Sequence, residues 1–366
     1  MSETKLISVK EAADQLNCTP HYIRKLLREN KIRGGHVTGK KNLHVDPASL
    51  DAYKKTDDFT NDINQLRQDM PITIMEAVED VEDCFETDLI AHVSAIGNPL
   101  SSINHDDCII LDDLLNSMEP KNPGNDGKKF KKITLFLQSG GGILEAAIKY
   151  VDIITHYANH FDVIVPMMAK SAATLISLSA ESLFMTPVSE LGPVDPVVQS
   201  PTNPGIQVPA RAIKDLIKLY SREQKATDTK ERTDVDKILL KKIEELDTYL
   251  LGSYESALVF STNQIEERLK AKIKGNPALL KEAVFEFTEK HPSHSFPITF
   301  HKLQEYKLGT MIPNDASMKA VKTLLAVYQA FMAGNNIVKT NGNRDMNRNV
   351  IVQAINMNQV PTKTAL

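Results

Sequence analysis

The sequence predicts an α/β body with mostly parallel strands, preceded by a small basic module of helices and a hairpin. Three observations carry this. The stretch "KITLFLQSGGGILEAAIKYVDIITHYA" runs from a β-like apolar segment, Ile133–Leu137, through three glycines into a helix. That helix keeps Leu144, Ala147, Ile148, Val151 and Ile154 on one face. "VIVPMMAKSAATLISLSAE" then repeats the order, a strand at Val163–Met168 and a helix at Ser171–Ala180. Repeated strand–turn–helix units favour a parallel sheet covered by helices. Residues 1–56 hold 11 Lys/Arg against 6 Asp/Glu, a net +5 within a chain of −4, so the remaining body carries −9. A basic module on an acidic body implies two kinds of partner.

The 366 residues, 42% hydrophobic and 25% charged, suit a globular protein of more than one domain. Cys18, Cys84 and Cys108 are odd in number and scattered, without zinc-site spacing. The expectation is a reduced, cytoplasmic protein with no disulfide framework, metal or cofactor. The N-terminus lacks a secretory layout, and no apolar run approaches the ~20 residues that span a bilayer. Expected domains are 1–56, a linker at 57–75, a core at 76–230, a helical extension at 231–335 and a polar tail at 336–366.

In the basic module, Ser8 is placed to cap a helix running through Glu11, Ala12, Ala13 and Leu16. After "NCTP", with Thr19 as cap and Pro20 at the first helical position, a second helix Pro20–Glu29 buries Ile23, Leu26 and Leu27. It presents His21, Tyr22, Arg24, Lys25 and Arg28. "HVTGKKNLHV" reads as a hairpin whose turn carries Lys40 and Lys41. Two helices joined by a tight turn, then a basic wing, is the geometry that lays the second helix in a major groove with cations along the phosphates. The stretch resembles the excisionase/MerR-type winged helix-turn-helix, which implies DNA as a partner. A protein-interaction module with a solvated basic face is the alternative. One copy reads too little DNA for site-specific binding, so dimers or larger assemblies are expected.

In the body, "DLIAHVSAI" (88–96) reads as a buried strand, "DDCIILDDLLNSM" as a helix with carboxylates at its positive end, and 122–129 as a loop. The glycines after the first strand leave backbone N–H groups uncrowded. Ser171 stands where the second strand hands over to a helix, beside further unpaired N–H groups. A hydroxyl facing such donors has the parts for acyl transfer, each donor being worth about 3 kcal/mol of barrier. Helix capping by Ser171 explains the same residue without chemistry.

"LFLQSGGGILEAAIKYVDII", "VIVPMMAKSAATLISLSAESLFM", "SELGPVDP" and "HPSHSFPITFHKLQEYKLG" (291–309), in that order, resemble the serine dehydrogenase proteinase family. That family lies within the Clp-protease/crotonase-like superfamily. The resemblance spans roughly residues 76–315. It implies a Clp-protease/crotonase-like spiral core with the winged helix-turn-helix before it and a helical C-terminal extension after it. It also implies a serine nucleophile at Ser171, with Gly142 and Ala172 N–H groups as oxyanion donors and Gly141 keeping the loop open. The implied reaction is peptide-bond hydrolysis, on a peptide or protein substrate, in a homo-oligomer with no membrane partner.

Two departures bear on mechanism. Gly140 stands where relatives carry Pro. No His follows the nucleophile helix; Asp195 falls near that place, but a carboxylate of pKa ~4 cannot by itself deprotonate an alcohol efficiently. Related membrane peptidases use a Ser-Lys dyad, and Lys214 in "QVPARAIKDLIKLY" falls in the matching window, provided desolvation lowers its pKa; Lys218 is a second lysine of that kind. A solvated helix lysine is the other reading of Lys214. His294, in the downstream segment, is a further base or orienter. Two competing functions remain: an inactive Clp-like platform of a DNA-binding regulator, and a crotonase-like acyl-transfer enzyme.

Overall fold

The computed structural model describes residues 6–16, 20–36, 43–56, 58, 73–199, 207–212, 214–215, 218, 241, 248–291, 293–334, 337–343 and 351–353. They fall into two compact units, Met1–Ala95 with Asn314–Leu366, and Ile96–Pro313.

In the first unit the N-terminal segment builds its own core. Ser8 and Glu11 form a reciprocal cap, Glu11 N–H donating to Ser8 Oγ at 3.1 Å and Ser8 N–H to Glu11 Oε2 at 2.7 Å, and helix Val9–Leu16 follows. The second helix runs Pro20–Arg28; Ile23 and Leu26 are fully buried and Leu27 partly so. Strands Gly34–His36 and Leu43–Val45 pair antiparallel, and Ile7–Ser8 adds to the other edge of Leu43–Val45. The hairpin turn with Lys40 and Lys41, and the cap residue Thr19, lie outside the described residues. A third helix, Pro47–Tyr53, buries Leu50 and Tyr53 against the same core. Its signal was present in the sequence: Asp46 accepts from Ala48 N–H at 3.0 Å, and Pro47 occupies the first turn.

The same unit contains a helix at 73–85, the wholly buried strand Asp88–Ser94 and helix Asp315–Gly334. Residues 339–342, expected in a polar tail, instead form a buried strand antiparallel to Asp88–Ser94, and Ile351–Gln353 pairs on its far side. The difference has a physical cause. A polar strand satisfies its backbone through the ladder, which side-chain polarity does not reveal.

The second unit has a parallel sheet in the order Thr310–Met311, Ser182–Met185, Ala158–Val165, Phe130–Gln138. Its central strands are buried on both faces, as parallel strands under helices are, with Leu135, Phe136, Val163, Ile164 and Val165 at 0% exposure. Its described helices include His105–Ser117, Leu144–Tyr157, Ala172–Ser179, Thr248–Lys272, Pro277–Thr288 and Phe300–Glu305. The expected strand Val163–Met168 begins earlier and breaks at Pro166, which has no N–H for a ladder; Met168–Ala169 then joins a different sheet. That small sheet orders Ile298–Thr299, Glu190–Leu191, Met168–Ala169. Most of the amphipathic stretch at 230–250 lies outside the described residues. Among the described residues no helix is long and apolar enough to cross a membrane.

Candidate active site

Ser171 sits between the Met168–Ala169 strand and helix Ala172–Ser179. Its seam is stitched to the glycine loop by backbone bonds: Ser139 N–H donates to Met168 O at 3.1 Å, and Lys170 N–H donates to Ser139 O at 3.0 Å. Thr174 Oγ1 donates to Ala169 O at 2.8 Å and accepts Gly192 N–H at 3.1 Å, joining the helix to the "SELGP" segment. The chain turns at Ser171 with φ +50° and ψ −119°. A non-glycine residue in such a conformation stores about 1–3 kcal/mol, which the surrounding bonds must hold. The hydroxyl makes no capping bond to its helix. The capping explanation of Ser171 therefore fails.

The glycine loop packs directly on this turn. Gly141 has φ +103°, and a Cβ there would lie 2.7 Å from Ser171 Cβ and 3.3 Å from Ala172 N. Its N–H is spent on Ser139 Oγ at 3.1 Å. Gly142 is pressed against Ile103; a Cβ would come within 2.1 Å of Ile103 O. Ile103 N–H donates to Gly141 O, and Ile143 N–H donates to Ile103 O, both at 2.9 Å, which pins the loop. Neither the Gly142 nor the Ala172 N–H has a hydrogen-bond partner among the described residues. Gly140, by contrast, is exposed, with open space where its Cβ would be.

A cleft of about 520 Å³ opens in front of the loop. Gly140, Gly141, Gly142, Ser171, Asp195 and His294 all line it, with apolar Ile143, Val197 and Phe260 on its walls. Asp195 is buried, its Oδ1 has no hydrogen-bond partner, and burial pushes its pKa up to about 6 against the pull of Arg211. His294 Nδ1 is likewise buried without a partner, and burial, assisted by the Lys170 charge, moves the imidazole below its usual range.

His294 reaches the cleft because its segment is tied down on both sides. After it, Ile298–Thr299 pairs antiparallel with Glu190–Leu191, which pairs in parallel with Met168–Ala169. Before it, Arg211 donates to His291 O at 2.6 Å, and His291 stacks on Phe296 with ring centres 3.6 Å apart. Buried Glu286 accepts from Lys290 and contacts His291 Nε2, both at 2.6 Å, and accepts from Tyr306 at 2.9 Å. Burial alone would raise the Glu286 carboxyl, yet these donors hold it below its usual range.

Lys214 is placed elsewhere. It lines a separate cleft with Arg211, Glu255 and Glu289, is absent from the lining of the Ser171 cleft, and lies 3.7 Å from the Glu289 carboxylate. Lys218 lies 3.7 Å from Asp215. Among the described residues no group of three or more His, Cys, Asp or Glu is placed to hold a metal ion. On the N-terminal helix Arg24 and Arg28 are exposed; His21, Tyr22 and Lys25 share that helix, with side chains outside the description.

A family model described as "ClpP-like SDH-type serine proteinase" matches residues 125–342, a span that holds Ser171, Asp195, His294 and the glycine loop. The chain belongs to this ClpP-like family. Two uncharacterized proteins of Methanocaldococcus jannaschii, MJ0137 and MJ1495, are similar to it, at 29% identity over 203 residues and 28% over 197. The matches cover 55% and 54% of this chain, and the chain spans only 60% and 56% of the lengths of those relatives. Among solved structures, a ClpP1 variant from Listeria monocytogenes aligns with TM-score 0.34 and 14% identity over 65% of this chain and 98% of the other. Sequence reading missed Ser139 and Ile103, which fix the glycine loop, and Thr174, which joins the helix after Ser171 to Ala169 and Gly192. Ser139 alone had a signal, its position directly before the triplet.

Proposed function

We propose that this chain is a serine peptidase that hydrolyses peptide bonds through an acyl-enzyme on Ser171. The observation that carries the reading is the Ser171 turn: a strained serine with no capping bond, lining one cleft with the glycine loop and followed directly by the unpartnered Ala172 N–H. The family described as serine proteinases supports the same chemistry. In this reading His294 is the base, and Asp195 is its carboxylate partner. Both side chains line the Ser171 cleft, which supports that choice over Lys214, 3.7 Å from the Glu289 carboxylate in a separate cleft.

The step follows from these roles. Ser171 Oγ attacks the substrate carbonyl carbon while its proton passes to the His294 ring, and the new oxyanion is held by the Gly142 and Ala172 N–H groups. Collapse breaks the C–N bond, the leaving amine takes the proton from His294, and the acyl group stays on Ser171. Water then repeats the sequence and releases the acid. Such a base works best with a pKa at or a little below the working pH, which the lowered His294 provides.

The N-terminal module tethers the peptidase to DNA in this reading. Its net +5 and the exposed Arg24 and Arg28 on helix Pro20–Arg28 support that. Self-association into a homo-oligomer completes the proposal, since a single module binds weakly. A fluorophosphonate probe tests the chemistry. Wild type is labelled and Ser171→Ala is not, with equal folding by circular dichroism. An unlabelled wild type defeats the peptidase reading and favours an inactive platform, while acyl-thioester turnover surviving Ser171→Ala favours crotonase-like chemistry.

A further inference from the structure

We propose that Lys170 is a positioning residue whose ammonium ties the Ser171 turn to the segments bearing Asp195 and His294 and sets a fixed positive charge beside the His294 ring. The inference rests on the reading of His294 as base. Lys170 is 8% exposed, an unusual place for a lysine unless paired. Its Nζ lies 2.8 Å from Glu190 Oε1 and donates to Leu191 O at 3.0 Å and Phe296 O at 3.4 Å. An ammonium has three N–H donors, and these three acceptors use them all, so Lys170 has none left for the Ser171 hydroxyl. The acceptors are not scattered. Leu191 lies four residues before Asp195, Phe296 two residues after His294, and Lys170 itself directly precedes Ser171.

The stem is fitted as closely as the head. Gly192 stands where a Cβ would approach Lys170 Cδ to 2.7 Å, so a glycine is needed there for the side chain to pass. The Lys170 N–H donates to Ser139 O, adding the glycine loop to the segments this residue joins. The neighbouring charges are Glu190 at the ammonium, Asp195 and Glu145 lining the His294 cleft, and Arg211 and Asp215 acting on Asp195. Lys170 lowers the His294 pKa, in addition to the larger effect of burial. A neutral ring accepts the Ser171 proton at lower pH than an ordinary histidine would.

The test compares Lys170→Met, Lys170→Arg and Glu190→Gln with the wild-type full chain. The readouts are the pH dependence of fluorophosphonate labelling and a direct NMR titration of the His294 ring. Lys170→Met removes charge but keeps length; both midpoints rise by about one pH unit, and labelling at pH values below both midpoints slows about tenfold. Lys170→Arg restores the wild-type midpoint. Glu190→Gln leaves the ammonium unneutralised, so the His294 midpoint falls. If Lys170→Met does not fold, the Glu190→Gln shift decides alone. An unmoved His294 titration in Glu190→Gln, or in a folded Lys170→Met, overturns the proposal. A wild type that resists the probe while its His294 titration still responds to Lys170→Met upholds the role of Lys170 and removes the peptidase reading.

Discussion

Asp195 shows how one buried group sets stability and chemistry against each other. Desolvation raises its pKa to about 6, outweighing the attraction of Arg211. The folded chain thus binds a proton more tightly than the unfolded chain, whose aspartate titrates near 3.9. Between those values the native state holds more protons, so stability is lost as pH rises from about 4 to about 6 and stays lost above. Asp195→Asn removes that loss. At pH 7.5 the variant melts on the order of 2–4 °C above wild type, and the gap closes toward pH 4. The same substitution slows fluorophosphonate labelling, because an amide does not stabilise a protonated ring. Melting curves across pH read the first effect; an equal or lower Tm for the variant at pH 7.5 contradicts it. In wild type, labelling declines as pH falls through about 6, where Asp195 gains its proton.

The glycine triplet is an element whose three members do different work. Gly141 at φ +103° touches the Ser171 turn, and Gly142 abuts Ile103, so a methyl at either pushes on backbone. Gly140 borders open space. Gly141→Ala therefore loses labelling by about a hundredfold, the scale of a lost oxyanion donor. Gly140→Ala keeps labelling and gains about 0.5 kcal/mol of stability by restricting the unfolded chain. Labelling rates and urea melts of the two variants give the contrast; equal losses would mean that the loop does not shape the site. Glu286 is the corresponding anchor of the His294 segment, a fully buried carboxylate satisfied by Lys290, His291 and Tyr306. Its bonds join helix Pro277–Thr288, the following loop and helix Phe300–Glu305 with its C-cap, so the loop after it inherits their rigidity.

At the scale of the whole molecule, the chain pairs a basic N-terminal module with an acidic body. Electrostatic attraction to a polyanion depends on counterion release, so it weakens steeply with salt. On the proposed DNA tether, the expected outcome is that this chain retards duplex DNA at 50 mM salt and loses about 10³-fold or more in affinity by 200 mM if six or more phosphates are contacted. Reversing charge at Arg24 and Lys25 together abolishes retardation while leaving Ser171 labelling intact. Retardation unchanged by that double reversal would sink the DNA reading.

Local pattern alone made much of this legible. The capping box at Ser8 and Glu11, the helix opening at Pro20, the apolar period of Leu144–Tyr157 and the hydroxyl at position 171 are all encoded within a few residues, where propensity and sterics act. The strand at 339–342 was not, because its burial depends on a partner some 250 residues earlier. Nor was which of His294 and Lys214 lines the Ser171 cleft. Lys214 lies only 43 positions from the serine and His294 lies 123, yet the more distant residue lines its cleft. Backbone pairing of Ile298–Thr299 on Glu190–Leu191 and of that strand on Met168–Ala169 brings His294 there. Spacing along the chain carries no record of such pairing, since hydrogen bonds between distant strands are chosen by the packed whole. Sequence by itself determined the strand–glycine–helix unit and the serine at its edge; tertiary structure decided which side chains line the cleft with that serine.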